Sequence, residues 1–325
     1  FKKVKYFIPY SSNSSAKQST YLPKEDIEEY IREGQLQKFK YSYEDDKESL
    51  EMLFADIDDP QQTMEAIISK IIDATDPDFG GGKVNTWEGF REKVDELSQK
   101  SQTQGRGTQR NSNEISVLSW RKFKRIVNKA IKNDDMFANR ADSSRHECRL
   151  ADAIKHISNN DVYVIDVAKL TEDKQAFVFG DAVRTIYNLK LGEYDGESGI
   201  NPPSRIIVFI DELNKYASKD TPKYSPILQE ILDVTERGRS LGVVLFGAEQ
   251  FRSNIHQRVT GNCSTHAYGR TNSIETSTKD YSSLPSTYKN MLTRLEQGDY
   301  LIQNPIFRSL LKIRFPKPIY KQFKK

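Results

Sequence analysis

The hydrophobic and polar positions divide the chain into two stretches with different periodicities. In the first stretch, up to about residue 160, apolar residues recur at the spacing of amphipathic helices. This pattern predicts helices over Lys24–Glu33, Asp45–Phe54, Pro60–Ala74, Thr86–Gln99 and Ser116–Lys132. Asp59 before Pro60 is typical of a helix start, because proline is tolerated in the first turn and aspartate caps it. The polar segment Ser101–Asn113 has no periodicity and predicts a flexible loop.

Beyond residue 160, short apolar runs alternate with helical segments. Strands are predicted at Val162–Asp166, Ile206–Ile210 and Gly242–Phe246, and helices at Ala176–Leu189 and Ser225–Arg237. Strands and helices that alternate at this spacing are typical of βαβ units. The second stretch is therefore expected to form a parallel sheet that is covered on both faces.

Further strands are predicted near both ends of the chain. Asp299–Ile302 and Ser309–Arg314 flank Gln303–Phe307 and predict an antiparallel hairpin. Lys5–Pro9 predicts a strand near the start, and a lone strand needs a sheet to join. Because the second stretch offers that sheet, we expect residues 1–18 and 161–325 to form an α/β core. Residues 19–160 are then a helical insertion.

Composition narrows the possible functions. The 325 residues include 49 basic and 46 acidic residues, a net charge of +3, so any nucleic-acid contact must come from a local patch. Two cysteines, Cys148 and Cys263, cannot form a disulfide framework, which predicts a reducing, cytoplasmic location. The longest apolar run, Ile206–Ile210, is far shorter than the about 18 residues of a membrane span, so no membrane partner is expected. Cysteine and histidine spacings typical of zinc sites are absent.

The sharpest chemical signal is the pair Asp211 and Glu212 directly after the apolar run Ile206–Ile210. The pair lies where open α/β sheets bind ligands, at the carboxyl end of a parallel strand. In P-loop ATPases this is the Walker B pattern, in which the aspartate orients Mg²⁺, usually through water, and the glutamate activates the attacking water. The alternative is a strand that ends in a polar turn.

Two further features follow in the sequence. Gln250 stands just beyond the next strand, where an amide senses the γ-phosphate of a nucleotide. Arg237 and Arg239 end the intervening helix, from which they could reach the nucleotide of a neighbouring subunit. The alternative for the arginines is a helix C-terminus with cations favoured by its dipole.

Together these segments resemble the HerA/FtsK-type hexameric DNA translocases, and HerA most closely. The resemblance rests on Val208–Tyr216 (VFIDELNKY), Glu236–Gly242 (ERGRSLG) and Gly247–Gln250 (GAEQ). Asn262–Arg270 and Gly298–Pro305 resemble a later strand and the closing hairpin of that family. The likeness covers about residues 160–316, and it implies a RecA-like P-loop ATPase core that binds ATP and Mg²⁺.

The resemblance also implies roles for individual residues. Asp211 would hold Mg²⁺ through water, Glu212 would polarise the attacking water, and Gln250 would contact the nucleotide as a sensor. The arginine finger that reaches a neighbouring subunit would be one of Arg237, Arg239 and Arg270, since a planar cation matches phosphoryl oxygens. The family more often has a small residue where this chain has Glu249, which is a departure from its pattern.

The resemblance further implies a homo-hexamer that moves along double-stranded DNA. Such motors work with a partner nuclease or other effector in DNA end processing or antiphage defence. Two alternatives remain: a non-catalytic ring scaffold that regulates an attached effector, and a conjugation-type DNA-pumping ATPase.

The phosphate-binding loop of these ATPases, Gly-x-x-x-x-Gly-Lys-Ser/Thr, does not occur in the chain. Gly80–Lys83 is followed by Val84 and lies among predicted helices, so we interpret it as an ordinary loop. We expect that the phosphate loop of a longer protein precedes Phe1, and that these residues alone do not hydrolyse ATP.

Two sets of cations are candidates for DNA contact. The predicted helix Ser116–Lys132 carries one set on a single face, and a basic stripe of this kind follows phosphates or is simply solvated. This set comprises Arg121, Arg125, Lys129 and Lys132. In a ring translocase, DNA passes through the pore instead, which makes the lysines after the Walker B pattern rival candidates. These are Lys215, Lys219 and Lys223.

Overall fold

The computed structural model describes residues 3–12, 19–55, 57, 59, 61–99 and 115–316. The predicted loop Ser101–Asn113 and Pro60 therefore lie outside the described residues. The chain forms two compact units. The first comprises residues 1–208 and 221–244, and the second comprises residues 209–220 and 245–325.

A four-stranded parallel sheet organises the first unit. Its strands are β1 (Lys3–Pro9), β2 (Leu36–Phe39), β3 (Glu147–Cys148) and β4 (Asp161–Ile165), in the order β3-β2-β1-β4. β1 pairs with β4, the strand predicted at Val162–Asp166. β2 and β3 lie within the stretch predicted to be helical. With four and two residues, they are too short to show the alternation by which strands are recognised.

Eight α-helices belong to the described part of the first unit. Their bounds are α1 Lys24–Arg32, α2 Tyr43–Asp46, α3 Thr63–Ile72, α4 Trp87–Gln99, α5 Val117–Ile131, α6 Leu150–Lys155, α7 Glu172–Leu191 and α8 Pro226–Leu241. The helix predicted over Asp45–Phe54 is instead the short α2 followed by a 3₁₀ helix, Lys47–Phe54. Helix α3 begins at Thr63, later than the predicted start at Pro60, and Gln62 rather than Asp59 is its N-cap residue. Asp59 still provides an acceptor at the helix start, since its Oδ2 accepts a hydrogen bond from the Met64 N–H at 2.6 Å.

An aromatic core packs between helices of the first unit. Trp87 packs edge-on against Phe137 with ring centroids 5.3 Å apart, and Phe54 stacks on Phe123 at 5.0 Å. The apolar face predicted for α5 is buried throughout, with Trp120 and Phe123 among its members. Burial of several large rings fixes α5 firmly, because each contributes roughly 1.5–3 kcal/mol.

β5 (Ile206–Ile210) and β6 (Val243–Gly247) form a separate two-stranded sheet. Near the start of the strands, the Ile206 N–H donates to the Gly242 carbonyl at 3.0 Å, and at their far end the Ala248 N–H donates to the Ile210 carbonyl at 2.8 Å. The strands are therefore parallel, and α8 joins them as the predicted βαβ unit.

The expectation that this sheet is covered on both faces is wrong for the described chain. Ile206 and Ile210 are buried, but Ile207 and Phe209 are exposed. The side chains of β6 alternate in the same way, since successive residues of a strand point to opposite faces. The exposed Phe209 and Phe246 rings stack on each other with centroids 4.9 Å apart.

The remainder of the second unit contains short helices and an antiparallel sheet. The elements are α9 Gln257–Asn262, β7 His266–Tyr268, α10 Ser273–Thr276, α11 Ser286–Leu292, β8 Asp299–Gln303 and β9 Leu311–Arg314. β8 and β9 form the predicted hairpin, and β7 pairs with β8 in the order β7-β8-β9. Arg314 donates to the Asp299 carboxylate at 2.6 Å, and with Lys312 it holds the pKa of Asp299 down at about 2.

Candidate active site

Asp211 stands directly after β5 and is exposed. Its Oδ1 accepts a hydrogen bond from the Glu212 N–H at 3.0 Å, so the backbone holds the carboxylate at the end of the strand. A single exposed carboxylate in this place suits a cation bound mainly through water. Among the residues that the structure describes, no group of three or more histidine, cysteine, aspartate and glutamate side chains is arranged to hold a metal directly.

Glu212 has an unusual backbone conformation. Its φ of 53° and ψ of 52° lie in the left-handed region, which costs a residue with a side chain about 1–2 kcal/mol. The fold holds this conformation because the next residue is fixed: Leu213 is buried, and its N–H donates to the Ala248 carbonyl at 3.1 Å. Strained backbone of this kind clusters at functional sites.

The Glu212 carboxylate forms an ion pair with the Lys215 ammonium, one turn further along the 3₁₀ helix Leu213–Lys215. The side chains are 48% and 39% exposed, respectively. Exposed ion pairs of this kind contribute at most about 1 kcal/mol, so the pair opens readily. Lys215, predicted as a DNA contact, is thus engaged with Glu212.

Glu249 connects the loop after β5 to the loop after β6. Its Oε2 accepts a hydrogen bond from the Asn214 N–H at 2.9 Å, and its Oε1 accepts from the Gln250 N–H at 2.6 Å and the Phe251 N–H at 3.1 Å. From the sequence, Glu249 is only a departure from a family pattern, and its contacts with the two loops are not predicted. The available signal was its position, because a carboxylate two residues beyond a strand can accept from the unpaired N–H groups of the turn.

Gly247 allows the two loops to approach closely. A Cβ atom at this position would lie 2.5 Å from Cδ2 of the buried Leu213. The glycine therefore lets the end of β6 lie against the turn that follows Glu212. The structure brings the Asp211–Glu212 turn and the Gln250 loop together, with Gln250 exposed at the surface.

The three candidate finger arginines are all exposed. Arg239 lies in the last turn of α8 and Arg237 just before it, where Arg237 Nη1 donates to the Tyr187 hydroxyl at 3.4 Å. Gly238 between them is buried, and a Cβ there would lie 2.9 Å from the Val243 carbonyl. Close packing of α8 at this glycine directs its two neighbours outward. Arg270 follows β7 in the second unit.

The remaining candidate cations differ in their surroundings. Lys219 and Lys223 are exposed, and Lys223 lies over the Tyr224 ring, 5.4 Å from its centroid. On α5, Arg121 and Arg125 are exposed, as is Lys132 just beyond the helix. Lys129 instead pairs with Asp173 of α7 at 2.6 Å.

Gly80–Lys83 forms a turn between α3 and α4, as predicted. A Cβ at Gly80 would lie 2.3 Å from the Ala74 carbonyl oxygen, and Lys83 donates to the Pro77 carbonyl. This glycine run packs on its own backbone and does not form a phosphate cradle. Across the described residues, no helix combines the length and apolar character that crossing a membrane requires.

Comparisons with known proteins identify the fold. Neither a protein-family model nor a curated protein sequence matches the chain. The bacterial conjugative coupling protein TrwBdeltaN70 is similar in structure, with a TM-score of 0.51 at 11% identity over 88% of this chain and 73% of that chain. The genome packaging NTPase B204 from Sulfolobus turreted icosahedral virus 2, in complex with AMPPCP, matches 53% of this chain and 72% of its own at 18% identity, with a TM-score of 0.36. The likeness to TrwB confirms the predicted fold class: a RecA-like α/β core with a parallel sheet and a separate antiparallel hairpin.

Proposed function

We propose that this chain forms the Walker B part of the ATP site in a DNA-translocating ring ATPase of the HerA type. The observation that carries the proposal is the turn after β5, where Asp211 and Glu212 lie next to the loop of Gln250. The fold shared with TrwB, a conjugative coupling protein, supports an assignment to the HerA/FtsK superfamily.

In this proposal each side chain has its own task. Asp211 would hold Mg²⁺ through water, and the ion, when bound, would neutralise charge on the phosphates. Glu212 would accept a hydrogen bond from the attacking water and polarise it. Gln250 would contact the γ-phosphate. Since Glu212 pairs with Lys215 in this structure, that ion pair must open before the carboxylate can act on water.

The proposed assembly is a homo-hexamer around double-stranded DNA. Each subunit would supply one of Arg237, Arg239 and Arg270 to the nucleotide of its neighbour, and a nuclease or another effector would process the DNA. The likeness to TrwB favours a second candidate, a conjugation-type DNA-pumping ATPase. The HerA type predicts ATP-dependent degradation of duplex ends when a partner nuclease is added, whereas the conjugation type predicts none.

The 325 residues alone are expected not to hydrolyse ATP, because they contain no phosphate-loop motif to anchor the nucleotide beside Asp211. Phosphate release from the purified chain, with and without duplex DNA, measures this. Turnover on the order of 1 s⁻¹ or more would refute the expectation. In a protein that joins this chain to a phosphate loop, duplex DNA is expected to stimulate turnover, and complete absence of ATPase activity there would contradict the proposed function.

In a protein that joins this chain to a phosphate loop, Glu249→Gln is expected to lower kcat about tenfold or more. An amide presents one acceptor oxygen where the carboxylate presents two, so at least one of its three backbone N–H partners loses its acceptor. An unsatisfied group of this kind costs about 1–3 kcal/mol, which displaces the Gln250 loop from the phosphates. The measurement is kcat and nucleotide affinity of the ATPase, with Glu33→Gln at the exposed end of α1 as the matched control. An unchanged kcat would show that Glu249 does not position the site.

A further inference from the structure

An open groove of about 910 Å³ lies along α4 and α5 in the first unit. Four cations line it: Arg121, Lys122, Lys124 and Arg125. The other lining residues include Ser98 and Asn128, and none of the described residues that line the groove is a carboxylate. The groove is therefore a local concentration of positive charge on a chain whose net charge is only +3.

The helix that carries these cations is firmly held. Its opposite face is buried at Trp120, Phe123 and Val127. At its start, the Ser116 hydroxyl accepts a hydrogen bond from the Ser119 N–H at 3.1 Å. The cations therefore project from a rigid helix, so binding of a ligand carries no free-energy cost for ordering the backbone that presents them.

The charge balance of α5 leaves part of the positive charge uncompensated. The helix contains five cations and no carboxylate. Lys124 pairs with Asp95 of α4, and Lys129 pairs with Asp173 of α7. Within the described ranges, neither Lys122 nor Arg125 forms an ion pair.

Part of the Arg121 guanidinium group can also contact a ligand in the groove. It uses its Nε to donate to the Ser98 carbonyl at 3.1 Å, which fixes the guanidinium plane at the rim of the groove. The structure thus changes which cations belong together on this helix, compared with the basic stripe predicted from the sequence. Arg121 and Arg125 line the groove and Lys122 joins them, whereas Lys129 is taken up by α7.

We propose that this groove binds the phosphate backbone of double-stranded DNA. Arg121 and Arg125 are four residues apart, which separates them by about 6 Å along the helix. Alternate phosphates of one DNA strand are separated by about 6.8 Å along the duplex axis, so both arginines can contact one strand. The choice of DNA among polyanions rests on the proposed function, but the site itself uses no residue of the ATP site.

The test is binding of a fluorescein-labelled 30-bp duplex of random sequence, measured by anisotropy without nucleotide over a series of salt concentrations. Arg121→Gln/Arg125→Gln is compared with Lys24→Gln/Arg32→Gln, which removes the same charge from exposed positions on α1. The groove variant is expected to bind about 10- to 100-fold more weakly at 0.1 M salt. Its slope of log affinity against log salt is expected to be shallower by about two, while the control behaves like the wild type.

Equal affinities and salt slopes for the groove variant and the α1 control would overturn the proposal. Arg121→Lys/Arg125→Lys keeps both positive charges while it changes both side chains. This variant is expected to retain most of the DNA binding. A loss as large as that of the glutamine variant would also overturn the proposal. The assay contains no nucleotide, and the groove shares no residue with the proposed ATP site. Failure of the ATPase assignment would therefore leave this result intact, and the reverse also holds.

Discussion

Glu212→Gln is expected to reduce ATP turnover by about 10²–10⁴-fold in the proposed ATPase, while nucleotide affinity stays nearly unchanged. The amide is almost the same size as the carboxylate, so the turn after β5 should keep its shape. It carries no charge and cannot accept a proton, so it does not polarise the attacking water. The measurement is turnover and nucleotide affinity on one preparation.

Asp220→Asn is the matched control for this substitution, because Asp220 is exposed in the same segment and has no role in the proposed site. It should leave turnover unchanged. Near-normal turnover of Glu212→Gln would show that Glu212 merely ends a strand, and lost nucleotide binding would indicate a damaged fold.

Loss of the arginine finger is expected to lower kcat by about 10³–10⁵-fold, because the guanidinium stabilises charge that develops on the transferred phosphoryl group. One of Arg237→Ala, Arg239→Ala and Arg270→Ala should show this loss. The other two serve as controls, since all three side chains are exposed and their removal leaves no cavity. Steady-state kinetics of the three variants identify the finger, and three nearly normal variants would contradict a finger among them.

Mixed assemblies test whether the finger acts between subunits. Finger-less subunits retain Glu212, and Glu212→Gln subunits retain the finger, so an interface between them contains one intact set of groups. Mixing the two inactive proteins should therefore restore turnover, and light scattering should show a closed ring. Mixtures that remain inactive despite co-assembly would place the arginine in its own subunit's site.

The βαβ unit formed by β5, α8 and β6 was predictable because its apolar runs, its proline and its glycine all indicate the same order of strand, helix and strand. Ile206–Ile210 is a continuous apolar run with the observed strand bounds, and Pro226 begins α8 while Gly242 ends it with φ of 76°. A Cβ at Gly242 would lie 2.2 Å from the Ser204 carbonyl oxygen, so this glycine is required. Asp211 and Glu212 could be placed at the strand end for the same reason. Their roles in hydrolysis remain proposals.

Other features depend on contacts that the sequence does not show. β2 and β3 owe their strand conformation to pairing with β1 and with each other, since neither is long enough to have a pattern of its own. The contact of Glu249 with the Asn214 N–H exists only once two loops meet. Lys129 looked like part of a stripe, but its partner Asp173 is 44 residues away in the sequence.

The left-handed backbone of Glu212 sets its proposed role in hydrolysis against thermodynamic stability. Glycine adopts this conformation without steric cost, so a glycine at position 212 would relax the turn and at the same time remove the carboxylate. Selection for stability alone would favour that exchange. With the proposed role, a glutamate held there against its conformational preference would mean that the protein gives up stability at position 212 for chemistry.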